Sequence, residues 1–268
     1  MSTADAPIGV FDSGIGGLTV VRELMRQLPE ERIIYFGDTA RVPYGPKSPD
    51  TVRRYSSEIA SFLAGEGVKA VVIACNTATA HALGMLQASL PLPVIGVVEP
   101  GARAAVSGSR GGAIGVIGTT GTIASGAYER AIRSLAPEIR IAVQACPLLV
   151  PLVEEGWLDT EATRLIATEY LAPMTAELVD TLVLGCTHYP LLKPLLSQIM
   201  GSNVRLIDSA EETAAETARV LSSRGLRASA QARGEHRFVA SDAAEQFLRM
   251  GQRFLGAAIE RVETTTLG

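Results

Sequence analysis

The sequence predicts an α/β fold in which two similar open sheets, made mainly of parallel strands, are flanked by helices. Short apolar runs alternate with amphipathic segments along the chain, and the runs are apolar at successive positions rather than at every second one. Such runs are typical of parallel strands that helices cover on both faces. Alternation of the two kinds of segment favours right-handed crossovers between neighbouring parallel strands. Similar segments also recur about 110 residues apart, which predicts two units of the same design.

Nine apolar runs have the length of a buried strand, and amphipathic segments of helical period lie between them. The predicted strands are 8–12, 33–37, 70–75, 94–98, 113–118, 139–146, 181–186, 204–208 and 236–240. The predicted helices are 17–28, 49–65, 77–89, 122–135, 159–172, 190–200, 210–223 and 242–259. Ser48 followed by Pro49 indicates a helix start, because serine caps helices and proline suits the first helical position. Ser209 with Glu212 three residues later is typical of a capping box.

The two halves of the chain resemble each other at a nearly constant offset, and this predicts an internal duplication. The equivalent positions are Gly9 and Gly115, Cys75 and Cys186, and Val98 and Asp208, which are 106, 111 and 110 residues apart. A Pro-Gly breaker at 99–101 follows the fourth predicted strand and suggests the boundary. We therefore expect a first repeat of residues 1–98 and a second repeat of residues 99–208. The tail after 208 is too short for a core of its own, so it must pack on one of the repeats.

Composition and charge exclude several classes of function. The net charge is −4 and no basic run is present, so binding to nucleic acid or to an anionic membrane has no electrostatic support. No apolar run approaches the roughly 20 residues that a membrane-spanning helix needs, and the first residues show no secretory pattern. The three cysteines are odd in number and widely spaced, which argues against a disulfide framework. We therefore expect a cytoplasmic protein.

Cys75 and Cys186 are the strongest candidates for reactive groups. A single free cysteine is more often a small buried hydrophobe than a catalyst. Here, however, each of the two ends a predicted buried strand, precedes small polar residues and occupies the same place in its repeat. Ligands of open α/β sheets bind just beyond the carboxyl ends of strands, and a helix that begins there favours the thiolate. Two such thiols suit a reaction that needs an acid and a base on opposite sides of one carbon.

His188 lies two residues beyond Cys186, at the same strand end, and this position favours a role as a proton relay. Cys146 is followed by Pro147 and a leucine-rich stretch, so we expect it to lie in the core. The histidine and cysteine spacings match no zinc site, and no metal ion is expected.

Three carboxylates lie near predicted strand ends. Asp12 terminates a buried strand, so it must be hydrogen-bonded or functional. Asp38 follows the second strand, 22 residues after Gly16, and with the glycine-rich turn it imitates a dinucleotide-binding pattern. The third glycine is missing and Asp12 would face the diphosphate, so we favour a tight turn whose N–H groups suit a small carboxylate. Glu154, beside Glu155, has the pattern of a solvated surface group when the sequence alone is considered.

The segment 40–48 is a long connection that is rich in turn-forming residues. An ordinary strand-to-helix loop would explain this composition. Its length, and the tyrosine within Pro43-Tyr44-Gly45, suggest instead a loop that covers a substrate.

Four motifs resemble those of the glutamate racemases. They are Gly-Val-Phe-Asp-Ser-Gly-Ile-Gly-Gly-Leu-Thr at 9–19, Arg-Val-Pro-Tyr-Gly at 41–45, Ala-Cys-Asn-Thr-Ala at 74–78 and Leu-Gly-Cys-Thr-His-Tyr-Pro-Leu-Leu at 184–192. The resemblance runs in order from residue 8 to about 215, and the last fifty or so residues carry no such motif. It implies a cofactor-independent enzyme that converts L-glutamate to D-glutamate for peptidoglycan. It also implies an active site in the cleft between two α/β domains, with the C-terminal segment returning to the first. The first domain would then be residues 1–98 plus 209–268, and the second residues 99–208.

The resemblance also implies roles for individual residues. Cys75 and Cys186 would be the acid–base pair, the first deprotonating the D-isomer and the second the L-isomer. Asp12 and His188 would assist the thiols, and the further acidic positions near the site are Asp38 and Glu154. The positions that match substrate-binding residues are Asp12, Ser13, Pro43, Tyr44, Gly45, Asn76, Thr77, Thr119, Thr122, Thr187 and His188. The implied partner is the small-molecule substrate glutamate, and the Ala/Leu-rich helices are compatible with a homodimer.

Other functions stay open on the residues alone. A racemase of a related substrate, such as aspartate or a hydantoin, would share the two thiols and differ in its side-chain pocket. A pyridoxal-dependent racemase would need a Schiff-base lysine, and none of the three lysines follows a cofactor motif. A non-catalytic amino-acid-binding module would keep its function without Cys75. A cysteine hydrolase that uses Cys186 with His188 would form a covalent acyl-enzyme.

Overall fold

Two compact units make up the computed structural model, which describes residues 3–229, 235–255 and 258–267. The first unit comprises residues 1–97 and 210–268, and the second comprises residues 98–209. The sequence-based division, with boundaries after residues 98 and 208, differs from this one by a single residue at each boundary.

Strands and helices alternate along the chain, as predicted. In chain order, the strands are β1 Ile8–Asp12, β2 Ile33–Gly37, β3 Ala70–Ile73, β4 Val94–Gly96, β5 Ala113–Gly118, β6 Ile141–Ala145, β7 Val179–Gly185, β8 Arg205–Asp208, β9 Arg237–Ala240 and β10 Glu263–Thr264. The α-helices are α1 Leu18–Gln27, α2 Pro49–Gly65, α3 Asn76–Ser89, α4 Val98–Gly108, α5 Thr120–Ala124, α6 Ala127–Leu135, α7 Leu149–Glu154, α8 Glu161–Ala176, α9 Lys193–Met200, α10 Ser209–Ser223 and α11 Ala244–Leu255. Short 3-10 helices lie at Thr3–Asp5 and Tyr189–Leu192. Within the described ranges, no helix is both long enough and apolar enough to cross a bilayer.

The described part of the first unit contains a six-stranded sheet in the order β10-β9-β2-β1-β3-β4. Every neighbouring pair in this sheet is parallel. All residues of β1, β2 and β3 are buried, which explains why these segments are apolar without alternation. Because the strands are parallel, their carboxyl ends lie along one edge of the sheet.

The described part of the second unit contains a four-stranded parallel sheet in the order β6-β5-β7-β8. Taken in chain order, its strands are arranged like β2-β1-β3-β4 of the first unit. A common order is what the predicted duplication would produce, although the duplication itself stays a prediction.

The chain after β8 completes the first unit. β9 pairs with β2, β10 pairs with β9, and α11 packs against α1. Two phenylalanines of this tail, Phe238 and Phe247, pack around Tyr35 of β2, with ring centroids 6.5 and 5.9 Å from that of Tyr35. The tail thus adds its apolar surface to an existing core, as its small size required.

Two elements of the second unit differ from the sequence-based expectation. A strand end and a breaker were predicted at 94–101 and no helix over 98–108, but the structure has α4 there, with Pro100 in its first turn. No hydrogen-bonded N–H is needed there, so the proline does not stop the helix. The predicted helix 122–135 is divided into α5 and α6 at Gly126, whose φ of +64° is left-handed. The short elements α7 and β10 show too little periodicity to be predicted.

The two predicted helix starts have different outcomes. Oγ of Ser48 accepts the N–H of Thr51 at 3.3 Å, and Pro49 is the first residue of α2, which confirms the predicted cap. Ser209, expected as an N-cap, is instead the first residue of α10. Its hydroxyl donates to the carbonyl of Leu184 in β7, so this side chain ties the helix to the neighbouring strand.

A close approach at Gly17 fixes the turn between β1 and α1. A Cβ at this position would lie 2.5 Å from Cβ of Asp12, 2.8 Å from the hydroxyl oxygen of Tyr35 and 3.0 Å from Cβ of Ala74. These three neighbours belong to β1, to β2 and to the segment that follows β3. Glycine is therefore needed for α1 to start directly against the ends of the three strands.

We expect Gly17→Ala to lower the free energy of unfolding by about 1–3 kcal/mol, because overpacking forces the neighbouring groups apart. Gly84→Ala is the matched control, since Gly84 is exposed within α3 and an added Cβ would have no neighbour within 4 Å. That variant should gain up to about 1 kcal/mol from helix propensity. Urea unfolding followed by circular dichroism measures both changes. Changes of the same sign and size in the two variants would contradict the close approach at Gly17.

Candidate active site

Polar side chains gather at one edge of the sheet in the first unit. β1 ends with Asp12, Asp38 follows β2, Ser241 follows β9, and Cys75 lies two residues beyond β3. The order β9-β2-β1-β3 makes these strands adjacent, and all are parallel, so the four side chains share the carboxyl edge. This is the edge at which open α/β sheets bind ligands.

Cys75 caps the amino terminus of α3. Its Sγ accepts the main-chain N–H of Ala78 at 3.4 Å and lies 3.7 Å from Oγ of Ser13. The N–H groups at the start of a helix stabilise negative charge, so this position suits a sulfur that carries a charge during a reaction. The Cys75 side chain is only 6% exposed, and Asn76 and Thr77 are buried beside it in the first turn.

Asp12 is held within the turn that follows β1. Its Oδ2 accepts the N–H of Gly14 at 3.0 Å, and the hydroxyl of Tyr35 donates to the carbonyl of Gly14 at 2.8 Å. Burial, with the charges of Asp12 and Cys75, raises the pKa of Tyr35 well above its ordinary value, so this hydroxyl remains a neutral donor. The turn that carries Asp12 and Ser13 is therefore fixed by two independent hydrogen bonds.

Both carboxylate oxygens of Asp38 are bonded to groups of its own unit. Oδ1 accepts from Oγ of Ser241 at 2.9 Å, and Oδ2 accepts from the hydroxyl of Tyr44. Nε of Arg41 lies 3.0 Å from Oδ1 and 2.8 Å from Oδ2. Asp38 is fully buried, and a buried carboxylate needs such partners. The resemblance placed this residue among the catalytic acids, but in the structure it contacts a tyrosine, an arginine and a serine of the protein.

Tyr44 anchors the loop that follows β2. Its ring is buried, its hydroxyl donates to Asp38, and its ring centroid lies 5.7 Å from that of Tyr55. Burial, followed by the charge of Asp38, raises the pKa of Tyr44 far above its usual range, so the hydroxyl stays protonated. Pro43 is exposed and is preceded by a cis peptide bond, and Gly45 is half-buried. Among the described residues, the main-chain N–H groups of Tyr44 and Gly45 have no acceptor.

Cys186, His188 and Glu154 form a line of contacts in the second unit. Nδ1 of His188 lies 3.8 Å from Sγ of Cys186, and Nε2 of His188 lies 3.0 Å from Oε1 of Glu154. Cys186 directly follows β7, whereas Glu154 is the last residue of α7. Folding therefore brings together residues that are far apart in the chain, and both Cys186 and His188 are 5% exposed.

The two neighbours control the charge of His188. Burial by itself lowers the pKa of His188, but the hydrogen bonds with Cys186 and Glu154, together with their charges, outweigh burial and raise the pKa to about 10. At neutral pH the ring is therefore an imidazolium, in which both nitrogens donate. Nδ1–H then faces the sulfur of Cys186, and a positive charge in this position stabilises negative charge that develops on sulfur during a reaction.

Three threonines occupy the corresponding edge of the second sheet. Oγ1 of Thr119 accepts the N–H of Thr122 at 3.3 Å, and the two hydroxyl oxygens are 3.0 Å apart. Thr119 follows β5, which pairs in parallel with β7, so it lies at the same edge as Cys186. Thr187 is buried directly after Cys186.

The third cysteine lies in the core, as predicted. Cys146 is fully buried, and burial, with a smaller effect from the charge of Cys186, raises its pKa to about 12. Cys146 is therefore a neutral thiol at physiological pH. Its main-chain carbonyl accepts the hydroxyl of Tyr189 at 2.8 Å, which ties the end of β6 to the segment after Cys186.

The sequence did not single out Ser241 at the first edge or Tyr35 within β2, and the residues alone gave Glu154 the pattern of a surface group. Ser241 directly follows a predicted strand, the same pattern that singled out Asp38, and could have been found in this way. Tyr35 lies inside a strand, where the sequence does not distinguish it from any other core aromatic. Glu154 shows no local pattern, because its role depends on a contact with His188 that only folding creates.

The chemistry available to these residues is proton transfer. Among the described residues, no group of three or more His, Cys, Asp or Glu side chains could hold a metal ion. Each unit instead offers one buried thiol beside a group that favours negative charge on sulfur: a helix N-terminus for Cys75 and an imidazolium for Cys186. A thiolate can remove a proton from a substrate, and a thiol can deliver one.

Comparisons with known proteins agree on one family. The sequence profile of the Asp/Glu/Hydantoin racemase family matches residues 8–217. A glutamate racemase of Geobacter metallireducens is 54% identical over 260 residues, which cover 97% of this chain and 96% of that protein. Among crystal structures, a glutamate racemase isoform of Bacillus anthracis is similar with a TM-score of 0.93 at 43% identity, covering 98% of this chain and 97% of that one.

The glutamate racemase of Francisella tularensis, solved in complex with D-glutamate, has a TM-score of 0.92 at 38% identity and covers 98% of both chains. The profile match covers most of the sequence, and the similarity to these proteins extends over nearly all of it. This chain therefore belongs to the Asp/Glu/hydantoin racemase family.

Proposed function

We propose that this chain is an isomerase that interconverts L-glutamate and D-glutamate without a cofactor, with Cys75 and Cys186 as its two acid–base groups. The observation that carries the proposal is the pair of buried thiols. Each follows the third strand of its unit, and each lies beside a group that favours the thiolate. The choice of glutamate as substrate is supported by relatives that are named glutamate racemase and are similar to this chain over almost its whole length.

The proposed reaction inverts one stereocentre by moving two protons. A thiolate on one face of the substrate removes the proton from Cα, and a thiol on the other face delivers its own proton to the same carbon. The first sulfur ends as a thiol and the second as a thiolate, so neither atoms nor electrons are gained or lost. Cys75 would deprotonate D-glutamate, and Cys186 would deprotonate L-glutamate.

Stabilisation of the substrate carboxylate must supply much of the rate. The Cα proton is a very weak acid, because the adjacent carboxylate already carries a negative charge. Acid–base assistance typically contributes about 10²–10⁴-fold. Donors aimed at the carboxylate contribute more, since negative charge grows there in the transition state. The proposed donors are hydroxyl, amide and main-chain N–H groups of Ser13, Tyr44, Gly45, Asn76, Thr77, Thr119, Thr122 and Thr187.

The two thiols receive different assistance in this proposal. Cys186 must be a thiolate when it accepts a proton from L-glutamate, and the imidazolium of His188 stabilises that charge. Glu154 holds the imidazolium in place through its 3.0 Å contact. In the first unit, Asp12 fixes the turn that places Ser13 beside Cys75.

The proposal includes the use of the product, the location of the protein and its assembly. D-glutamate is a building block of peptidoglycan, so cell-wall synthesis is the proposed use of the product. The proposed location is the cytoplasm, where free thiols persist. A homodimer is the proposed assembly, and light scattering on the purified protein measures its mass directly.

Removal of either proposed acid–base thiol should abolish racemisation. Cys75→Ala and Cys186→Ala should each slow the conversion of both enantiomers by at least about 10²–10⁴-fold, because each direction needs one thiolate and one thiol. Circular dichroism of glutamate follows the conversion, and NMR follows incorporation of solvent deuterium at Cα. Cys146→Ala is the matched control and should remain within a few-fold of wild type. A Cys75 or Cys186 variant that interconverts the enantiomers at a near wild-type rate would rule out the two-thiol assignment.

The contact between Glu154 and His188 predicts a pH effect. The pKa of His188 is raised to about 10, so the imidazolium persists through neutral pH and is lost as the pH rises towards that value. Glu154→Gln removes one of the charges that raise this pKa, so the alkaline fall in kcat/KM for L-glutamate should begin at lower pH. Glu155→Gln, a change at the exposed neighbouring residue, should leave the profile unchanged. Coincident alkaline limbs for wild type and Glu154→Gln would mean that Glu154 does not set the charge of His188.

A further inference from the structure

The C-terminal strand β9 brings an unassigned side chain to the edge that carries the proposed site. β9 lies next to β2 in parallel register, and the N–H of Ser241 donates to the carbonyl of Gly37 at 3.0 Å. This pairing places Ser241 beside Asp38, just beyond the ends of the two strands. Ser241 belongs to the part of the chain that carries no recognised motif, and neither the proposed mechanism nor the resemblance uses it.

The hydroxyl of Ser241 makes two hydrogen bonds to the segment that follows β2. It donates to Oδ1 of Asp38 at 2.9 Å and accepts the main-chain N–H of Ala40 at 2.8 Å. One residue further along, the N–H of Asp242 donates to Oγ1 of Thr39 at 2.9 Å, and the Thr39 hydroxyl donates back to the carbonyl of Asp242. Ser241 is 5% exposed, so its hydroxyl is satisfied by the protein. Four hydrogen bonds thus join the start of the loop after β2 to the C-terminal segment.

Asp38 transmits this contact to Tyr44. One oxygen of the buried carboxylate is bonded to Ser241 and the other to the hydroxyl of Tyr44, while Arg41 spans both oxygens. Arg41 also pairs with Glu58 of α2, so it links the carboxylate to the helix that follows the loop. A carboxylate that is fixed by Ser241 and Arg41 can hold the tyrosine hydroxyl in one direction. Without Ser241, Oδ1 would lose a donor at a site where a buried charge depends on its hydrogen bonds.

We infer that Ser241 is a positioning residue for the proposed racemisation, acting through Asp38 on Tyr44. This inference rests on the proposed function, because Tyr44 and Gly45 carry main-chain N–H groups that have no acceptor among the described residues and are proposed donors to the substrate. Ser241 touches neither thiol in this chain of contacts. Its effect is to fix the loop that presents those donors, and Asp38 is correspondingly a positioning residue rather than an acid or a base.

A double-mutant cycle tests the chain of contacts from Ser241 to Tyr44. Ser241→Ala should lower kcat/KM for glutamate by about 10- to 100-fold, the range expected for loss of a hydrogen bond to a buried charge, with part of the loss appearing as a higher KM. In a Tyr44→Phe background, the hydrogen bond between Asp38 and Tyr44 is already absent. There, Ser241→Ala should lower kcat/KM by less than about three-fold. Such non-additivity indicates residues that act through one another. If the two residues act independently, Ser241→Ala will lower kcat/KM by the same factor in both backgrounds.

Ser56→Ala is the matched control. Ser56 is a fully buried serine of α2 whose hydroxyl has no hydrogen-bond partner among the described residues, so its loss should leave kcat/KM within about two-fold of wild type. Thermal unfolding of every variant shows whether the assays are made on folded protein. If Ser241→Ala does not fold at the assay temperature, Ser241→Cys replaces it in the cycle. The thiol keeps a similar volume but is a weak donor, so the same loss and the same coupling are expected.

The possible outcomes separate this inference from the proposed function. A wild-type protein that does not racemise glutamate overturns the proposed function. A wild type that racemises glutamate, with folded Ser241 variants of equal kcat/KM, overturns the inference and leaves the function intact. A serine change that costs the same factor with and without the Tyr44 hydroxyl also overturns it, because the serine would then act on stability or on another contact. A loss of kcat/KM that occurs only in the background that retains Tyr44 supports the inference that Ser241 acts through Asp38 on Tyr44.

Discussion

Parallel pairing of strands constrains where the polar groups of the site can lie. The central strands of the first unit are buried at every residue, and an uncompensated polar side chain inside them would be costly. Asp12, Asp38 and Cys75 therefore lie where the strands end, and parallel pairing brings these ends together. The helices that begin at the same edge add N–H groups that favour negative charge. The second unit repeats this arrangement with Thr119 and Cys186.

The two thiols depend on different physical effects. Cys75 lies against main-chain dipoles at the start of α3, and these dipoles do not titrate. Cys186 lies beside the ring of His188, whose pKa is raised because its hydrogen bonds and charge interactions with Cys186 and Glu154 outweigh the cost of burying the ring. Charge on the first sulfur is therefore supported by fixed backbone geometry. Charge on the second is supported by a side chain that can lose its proton at high pH.

The C-terminal segment supports the site from outside the recognised motifs. It extends the first sheet through β9, packs aromatic rings around Tyr35 and bonds to Asp38 through Ser241. Tyr35 in turn bonds to the turn that carries Asp12. The geometry of the amino-terminal motifs thus depends on residues that lie some 200 positions later in the sequence. Asp38 illustrates the consequence, because one of its carboxylate oxygens is bonded to a residue of this C-terminal segment.

The sequence by itself determined the α/β class and the position of most strands and helices, because these depend on local composition. It also placed Cys75 and Cys186 at strand ends, which made them candidates for the reactive groups. Patterns within a few residues also singled out Asp12, His188 and the loop of Tyr44 as candidates. Only the tertiary structure decided the contacts of Glu154, Asp38 and Ser241. Their partners are distant in the chain, and hydrogen bonds between buried groups are created by packing, which leaves no periodic trace in the sequence. The helix α4 was also decided by the tertiary structure, because the proline that predicted a break lies in a first turn, where it does not oppose a helix, and Val98, Ala102 and Ala105 pack in the core of the second unit.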